Sequence, residues 1–295
     1  MLHGIVNVDK PAGMTSHDVV AIVRRVAGQK RVGHAGTLDP DATGVLLVCL
    51  GHATRLSDLL AEQGKSYRAT ISLGTATTTE DASGEPVEVR DASGVTRSDL
   101  EAAAARFVGE IDQIPPMVSA VHHEGKRLYE LARKGIVVER AARRVRFDSI
   151  AVLEFDPGER GEATIDVVCG KGAYIRTLCA DIGAALGCGG HMGSLRRTRV
   201  GRFRVDDPTS VTIERLRDEG AAAHVVTMCE ALAFLPERIV DDAEAADLLN
   251  GRDLLAREIL TPGALVKLTR NGALLALGIS TAQATIHPDK VFRDV

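Results

Sequence analysis

The sequence predicts an α+β fold in two unequal parts, on three observations. Stretches that alternate with period two, such as residues 67–73, stand beside stretches with an i, i+3, i+4 apolar stripe, such as 175–186. The hydrophobic share, 45% of 295 residues, supports a sizeable core and comes mostly from Ala, Val, Leu and Ile. Beyond Pro236 the texture changes to a short helical patch and two apolar runs split by Asn271-Gly272, a strong hairpin signal. That segment predicts a small β-rich C-terminal domain.

In chain order, residues 6–11 read as a short strand entering a turn at Pro11-Ala12-Gly13. Thr15 with Asp18 resembles a capping box, opening a helix with Val19, Ile22, Val23 and Val26 inward and Gly28 at its end. Residues 33–44 form a glycine-studded loop, and the apolar run 45–50 is a buried strand or the start of a core helix. A half-buried strand spans 67–73, and 75–84 is a polar loop. Residues 98–108 suit a helix capped by Ser98. The stretch 111–135, broken by Pro115-Pro116, reads as an excursion that touches a partner. Further strands fit 146–155 and 163–168. The helical stripe Ile175, Leu178, Cys179, Ile182, Leu186 comes next, with Arg176 off it. The basic run 195–204 suits a strand edge or ribbon, and 208–236 a linker or packing layer.

The loop 33–44 carries the chemistry. Gly36 and Gly44 permit backbone angles other residues resist, and Pro40 fixes the chain just after Asp39. A carboxylate so mounted beside a core element is a candidate nucleophile or general base. Arg176 is a candidate partner that would hold a carboxylate ionised, and Tyr67 a candidate stacking platform or proton-transfer group. Their pairing is not visible from spacing.

Composition bounds the remainder. No apolar run approaches the ~20 residues of a membrane span, and the first residues lack a signal-peptide pattern. Five dispersed cysteines fit reduced thiols in a cytoplasmic protein, and the lone Cys188/His191 pair is too little for a metal site. The net charge of −4 disfavours indiscriminate coating of nucleic acid. Local basic zones at 124–146 and 195–204 nevertheless suggest a defined polyanion site.

Asp39-x-Asp41-x-Thr43 also matches the D-x-D-x-T pattern of haloacid-dehalogenase-type Mg-dependent phosphotransferases. That motif should come directly after an apolar strand, and here it comes after Gly33-His34-Ala35-Gly36-Thr37-Leu38.

A family resemblance decides among these. Gly33-His34-x-Gly36-Thr37-Leu38-Asp39-Pro40-x-Ala42-x-Gly44-x-Leu46 resembles the catalytic motif of the bacterial tRNA pseudouridine synthase B (TruB-type) family. Asp9-Lys10-Pro11-x-Gly13-x-Thr15-Ser16, Lys65-x-Tyr67 and Thr77-x-Thr79-x-Asp81-x-x-Gly84 resemble further blocks. So do Gln113-x-Pro115-Pro116-x-x-Ser119-Ala120, Gly125-x-Arg127-Leu128-Tyr129, Gly172-x-Tyr174-Ile175-Arg176 and Leu195-Arg196-Arg197-Thr198. The chain departs from the family pattern at Ala35, Val118 and His122.

The resemblance implies a pseudouridine synthase fold: a mixed, largely antiparallel sheet flanked by helices over residues 1–232, with a thumb insertion at about 112–142. It implies a PUA-like RNA-binding domain at 236–295. The implied reaction isomerises uridine 55 in the TΨC arm of tRNA to pseudouridine by base flipping, with no cofactor, no metal and no obligatory protein partner, in a cytoplasmic monomer. Asp39 is then the nucleophile, with Tyr67 and Arg176 beside it; the alternative, a non-catalytic tRNA-binding or tRNA-folding protein, need not retain all three. Tyr174 and Leu195 wall the pocket, and His34 lies against the RNA. Asp81 is an RNA contact and Lys10 a loop-ordering residue. Lys126, Arg127, Arg133, Lys134, Arg196, Arg197 and Arg199 contact phosphates. Asp41 falls in a variable slot of the motif, which removes the idea of a paired carboxylate at 39 and 41.

Overall fold

The computed structural model describes residues 1–117, 119, 122–123, 126–128, 131, 135–136, 138–258 and 260–293. The main sheet is built from β1 (Gly4–Lys10), β2 (Val32–Ala35), β3 (Thr43–Leu50), β4 (Lys65–Leu73), β5 (Gly109–Gln113), β6 (Arg143–Asp156), β7 (Glu162–Cys169) and β8 (Gly190–Val200). Its order is β1-β3-β8-β4-β7-β6-β5, with β2 also on β3 and Ser210–Val211 outside β1. The β3–β8 pairing and that of β1 with Ser210–Val211 are parallel; the other pairings among these strands are antiparallel. The fold is thus α+β on a mixed, mostly antiparallel sheet.

Residues 45–50 are strand, not helix, because β3 is covered on both faces. Val45, Leu47 and Cys49 enter one apolar cluster, and Leu46, Val48 and Leu50 another. Two-sided burial explains a continuous apolar run where a half-exposed strand would alternate. Truncating Leu47, fully buried, would cost about 2–5 kcal/mol.

Helix α1 (Ser16–Val26) begins as expected: the Thr15 hydroxyl accepts from the Asp18 amide at 3.1 Å, and the Asp18 carboxylate accepts from the Thr15 amide at 2.9 Å. Helix α2 (Arg97–Ala105) starts earlier than predicted. Its cap is Thr96, in a capping box with Asp99, rather than Ser98. Helix α3 (Ile175–Ala185) carries the predicted apolar stripe into the core.

Several readings need correction. Residues 33–35 belong to β2, so the loop proper is 36–42. Residues 75–77 are a short strand pairing with Pro86–Val89. The basic run lies largely in β8, which sits between β3 and β4 at the centre of the sheet rather than at an edge. Residues 208–236 are a packing layer: Val211, Ile213, Leu216, Val226, Met228 and Leu232 all enter core clusters.

At the C-terminal end, β9 (Glu237–Ile239), β10 (Leu265–Arg270), β11 (Ala273–Ser280), β12 (Thr285–Val291) and Leu254–Leu255 form a separate sheet, joined by helix α4 (Asp242–Leu249). Asn271 and Gly272 have φ of 52° and 78°, as a tight primed hairpin turn demands. Leu274, Leu277 and Phe292 join the cluster of Ile5 and Leu47, so the two parts share a core. Arg55 donates to the Val291 carbonyl at 2.6 Å and lies 4.9 Å over the Phe292 ring.

Two features of the sheet shape the region around residues 36–42. Strands β5 and β6 pair directly, with Gln113 opposite Arg143, so residues 114–142 leave and return at one point. Gly44, at φ 98°, lets β3 pass the backbone of Arg197, whose carbonyl a Cβ would strike. Gly44→Ala should therefore lose about 2–4 kcal/mol of stability in urea denaturation, from strain at positive φ and a clash of backbone with Cβ. Among the described residues no helix is long and apolar enough to cross a membrane.

Candidate active site

The loop from Gly36 to Ala42 is held by its carbonyls. The Arg197 guanidinium donates to those of Gly36 (3.1 Å) and Thr37 (3.3 Å). Ser16 Oγ donates to that of Leu38 (3.1 Å) and accepts from the Leu38 amide (2.9 Å). The Ala42 amide donates to that of Asp39, and the Gly13 amide to that of Pro40. Lys10 Nζ donates to the carbonyls of Pro11 (2.9 Å), Pro40 (2.8 Å) and Ala42 (2.6 Å). Three carbonyls match the three donors of an ammonium, although burial lowers the Lys10 pKa to about 8. A loop tied at so many points fixes the Asp39 side chain at little entropic cost in the reactive state.

Lys10 is fully buried, which removes it from direct contact with RNA and leaves it the loop-ordering role. Lys10→Met would orphan the Pro40 and Ala42 carbonyls. It should lower kcat about 10–100-fold with KM little changed, because displacing a reacting group by about 1 Å costs that much. Single-turnover kinetics with saturating protein would check it.

Asp39 faces a cavity of about 300 Å³ that Tyr67, Tyr174, Arg176 and Leu195 also line. Residues far apart in sequence are therefore brought together as expected. Arg176 Nε lies 3.2 Å from Asp39 Oδ2, and Arg176 Nη1 lies 3.4 Å from Asp81 Oδ2. The Asp39 side chain is 42% exposed through the cavity mouth, while that of Arg176 is 5% exposed. Desolvation by the surrounding protein raises the Asp39 pKa above the ordinary carboxylate value, more than Arg176 lowers it. Arg176 sits off the apolar stripe of its helix yet is buried, because that flank of α3 meets the cavity.

The second carboxylate of the site is Asp81. Asp41 is exposed on the loop. Asp81 accepts from Thr79 Oγ1 and Ser83 Oγ, each at 2.6 Å, and its other oxygen faces Arg176. With 18% of its side chain exposed and these partners, Asp81 is placed to brace Arg176. Glu80, at φ 64°, reaches the same helix from the other side: Thr177 Oγ1 donates to its carboxylate at 2.5 Å.

Tyr67 is 7% exposed, and burial raises its phenol pKa while the positive charge of neighbouring Arg197 opposes the rise. Arg197 itself is 1% exposed and also donates to the Val45 carbonyl at 2.8 Å. It is not placed to reach a phosphate, which corrects the expectation from the basic run. Gln113, at the base of the excursion, donates to the Tyr174 carbonyl at 3.0 Å and accepts from its amide at 2.8 Å.

Arg196 donates to Asp9 at 2.8 Å and keeps a 41% exposed side chain; Arg199 donates to Ser66 Oγ and the Gly201 carbonyl. His34 lies on β2, outside the cavity lining, edge-on to His17 at 5.4 Å. Lys126–Arg127 pairs with His122–His123 as a short ladder. Arg133 and Lys134 lie outside the described residues. Cys188 and His191 do not converge on a shared ion: the thiol faces the Gly189 carbonyl, and His191 Nδ1 the Thr75 carbonyl at 2.8 Å.

Sequence reading missed Lys65, which lines the cavity and donates to the Ala61 and Gln63 carbonyls, with its pKa pushed down to about 8 by burial. The signal was parity, since 65, 67, 69, 71 and 73 share the buried face of β4. Ser119, a buried residue of the excursion, also reaches the cavity.

The family model described as TruB family pseudouridylate synthase (N terminal domain) matches residues 24–175, and that for the tRNA pseudouridylate synthase B C-terminal domain matches 176–236. A tRNA pseudouridine synthase B of Heliobacterium modesticaldum is 47% identical over 295 residues, covering 99% of this chain and 96% of the relative. One of Symbiobacterium thermophilum is 50% identical over 248 residues, covering 84% and 82%. Among solved structures, a chain of a Cbf5-Nop10-Gar1 complex has a TM-score of 0.76 at 30% identity, covering 98% of this chain and 84% of that one. A chain of an H/ACA RNP bound to a substrate RNA containing 2'-deoxyuridine has a TM-score of 0.75 at 30% identity, covering 99% and 86%.

Proposed function

The chain belongs to the TruB family of pseudouridylate synthases, and on that premise we propose how its site works. It is a tRNA pseudouridine synthase, isomerising uridine in tRNA to pseudouridine. The uridine acted on is number 55, in the TΨC arm. Folding of that arm shields the reactive carbons, so the base must be extruded into the cavity.

Asp39 attacks at ribose C1′ or at uracil C6. The glycosidic bond breaks, the uracil turns, and C5 bonds to C1′. The proton on C5 leaves and N1 gains one. Product and substrate are isomers, so atoms and electrons balance without an external cofactor. Tyr67 stacks on the extruded base near the departing C5 proton. Arg176 holds the carboxylate charged and aimed, while Tyr174 and Leu195 wall the base. The observation that carries this reading is the Asp39–Arg176 pair at 3.2 Å, set with Tyr67 around one cavity.

Arg196, Arg199, Lys126, Arg127, Arg133 and Lys134 contact phosphates, and His34 faces the RNA where the base has left. Shape and extruded loop bases, rather than duplex edges, carry specificity. Residues 1–232 form the catalytic unit, with the thumb at about 112–142, and 236–295 the PUA-like RNA-binding domain. The protein acts as a monomer in the cytoplasm.

The test is tritium release from tRNA carrying [5-3H]uridine, with EDTA present. Release from an unmodified TΨC arm is expected, and its absence would overturn the reading. A phosphotransferase using Asp39 would need Mg²⁺ and would release no tritium from tRNA under either condition. The tRNA dissociation constant should rise steeply with salt, roughly as a power law with one unit of slope per phosphate contact.

A further inference from the structure

Arg197 is a cavity-lining arginine with no part in the bond-making steps. It is 1% exposed, and none of its partners among the described residues is a carboxylate. A buried guanidinium so placed is costly unless its donors are filled. Three of its donors bind acceptors on parts of the site that must keep a fixed relation. Nη2 and Nη1 bind the Gly36 and Thr37 carbonyls, just before Leu38-Asp39. Nε binds the Val45 carbonyl at the start of β3. Tyr67 stands directly opposite Arg197 in the β4–β8 ladder, and both side chains line the cavity. Its backbone crosses β3 at Gly44, and its side chain lines the cavity.

We propose that Arg197 is a positioning residue for the isomerisation: it locks the Asp39 loop and the Tyr67 phenol into one rigid frame. This rests on the proposed roles of Asp39 and Tyr67 in the isomerisation. A planar fork with five donors can span several acceptors at once, whereas a lysine ammonium on a flexible stem cannot. Arg197→Lys therefore keeps the charge and removes the frame.

The test uses full-length Arg197→Lys with [5-3H]uridine tRNA, beside wild type and Asp39→Asn. The expected result is a kcat lower by about 100-fold with KM within about threefold, the pattern of lost alignment rather than lost binding. A second readout is tyrosine labelled with 13C at Cζ. The chain has three tyrosines, and Tyr67→Phe assigns the resonance of interest. That resonance should move in Arg197→Lys while the Tyr174 resonance stays. A kcat equal to wild type would overturn the proposal. So would a KM raised tenfold at unchanged kcat, which would restore a phosphate contact, or an unmoved Tyr67 resonance. Inactivity of the wild type itself would instead strike the assigned reaction, leaving the resonance to decide the link between Arg197 and Tyr67.

Discussion

Asp39→Asn should release no measurable tritium from [5-3H]uridine tRNA, a loss of at least about 1,000-fold, while tRNA binding by filter retention stays within about threefold of wild type. An amide of the same shape cannot act as the nucleophile, and the residues proposed to contact phosphates lie elsewhere. The same variant should not lower the melting temperature. Burial places the folded-state pKa of Asp39 above its unfolded value. The stability this group contributes is therefore present below the unfolded pKa and lost as pH rises through the folded one. At neutral pH the ionised carboxylate is a cost that the amide removes. Asp81 remains to face Arg176. A variant that was inactive because it had unfolded would contradict this assignment of Asp39.

Arg176→Ala should lower kcat about 100–1,000-fold with KM within about threefold, the scale seen when one preorganised charged donor is removed. Its pH profile gives an independent check. Arg176 pulls the Asp39 pKa down against desolvation. Without it the pKa climbs further, so the acidic limb of kcat should move to higher pH. An unmoved limb at reduced kcat would mean that Arg176 does not act through Asp39. A rise in KM matching the fall in kcat would assign it to RNA binding.

The legible part of this protein was the part written in local pattern. Asp39, Tyr67 and Arg176 sit in distinct motif blocks, and their convergence on one cavity comes from the loop 36–42, β4, β8 and the start of α3 packing around it. Buried cations were less legible. Lys10 and Lys65 lie at inward parity on their strands, yet a lysine in an alternating pattern invites an outward reading. Arg197 was hidden more deeply. It stands in a run of arginines, and its acceptors are carbonyls supplied only when β8 crosses β3 beside the loop. Shifts in register between Met192 and Ser194 and between Arg197 and Arg199 also break the simple alternation of β8. Ser98 lost the cap to Thr96 because the capping box with Asp99 satisfies two amides at once.

The direct pairing of Gln113 with Arg143 makes the segment between them an expanded hairpin tip. Loop closure there is secured by the ladder itself, and lengthening such a tip costs only slowly more entropy. The insertion can thus be exchanged without dismantling the sheet beneath it, at the loss of Ser119 from the cavity wall. Exchanging residues 116–140 for a short Asn-Gly turn should leave a chain with native-like circular dichroism and a far weaker grip on tRNA, since Gln113 would still clasp Tyr174. One scaffold could in this way acquire different RNA substrates by changing only what is hung from a single pair of hydrogen-bonded residues.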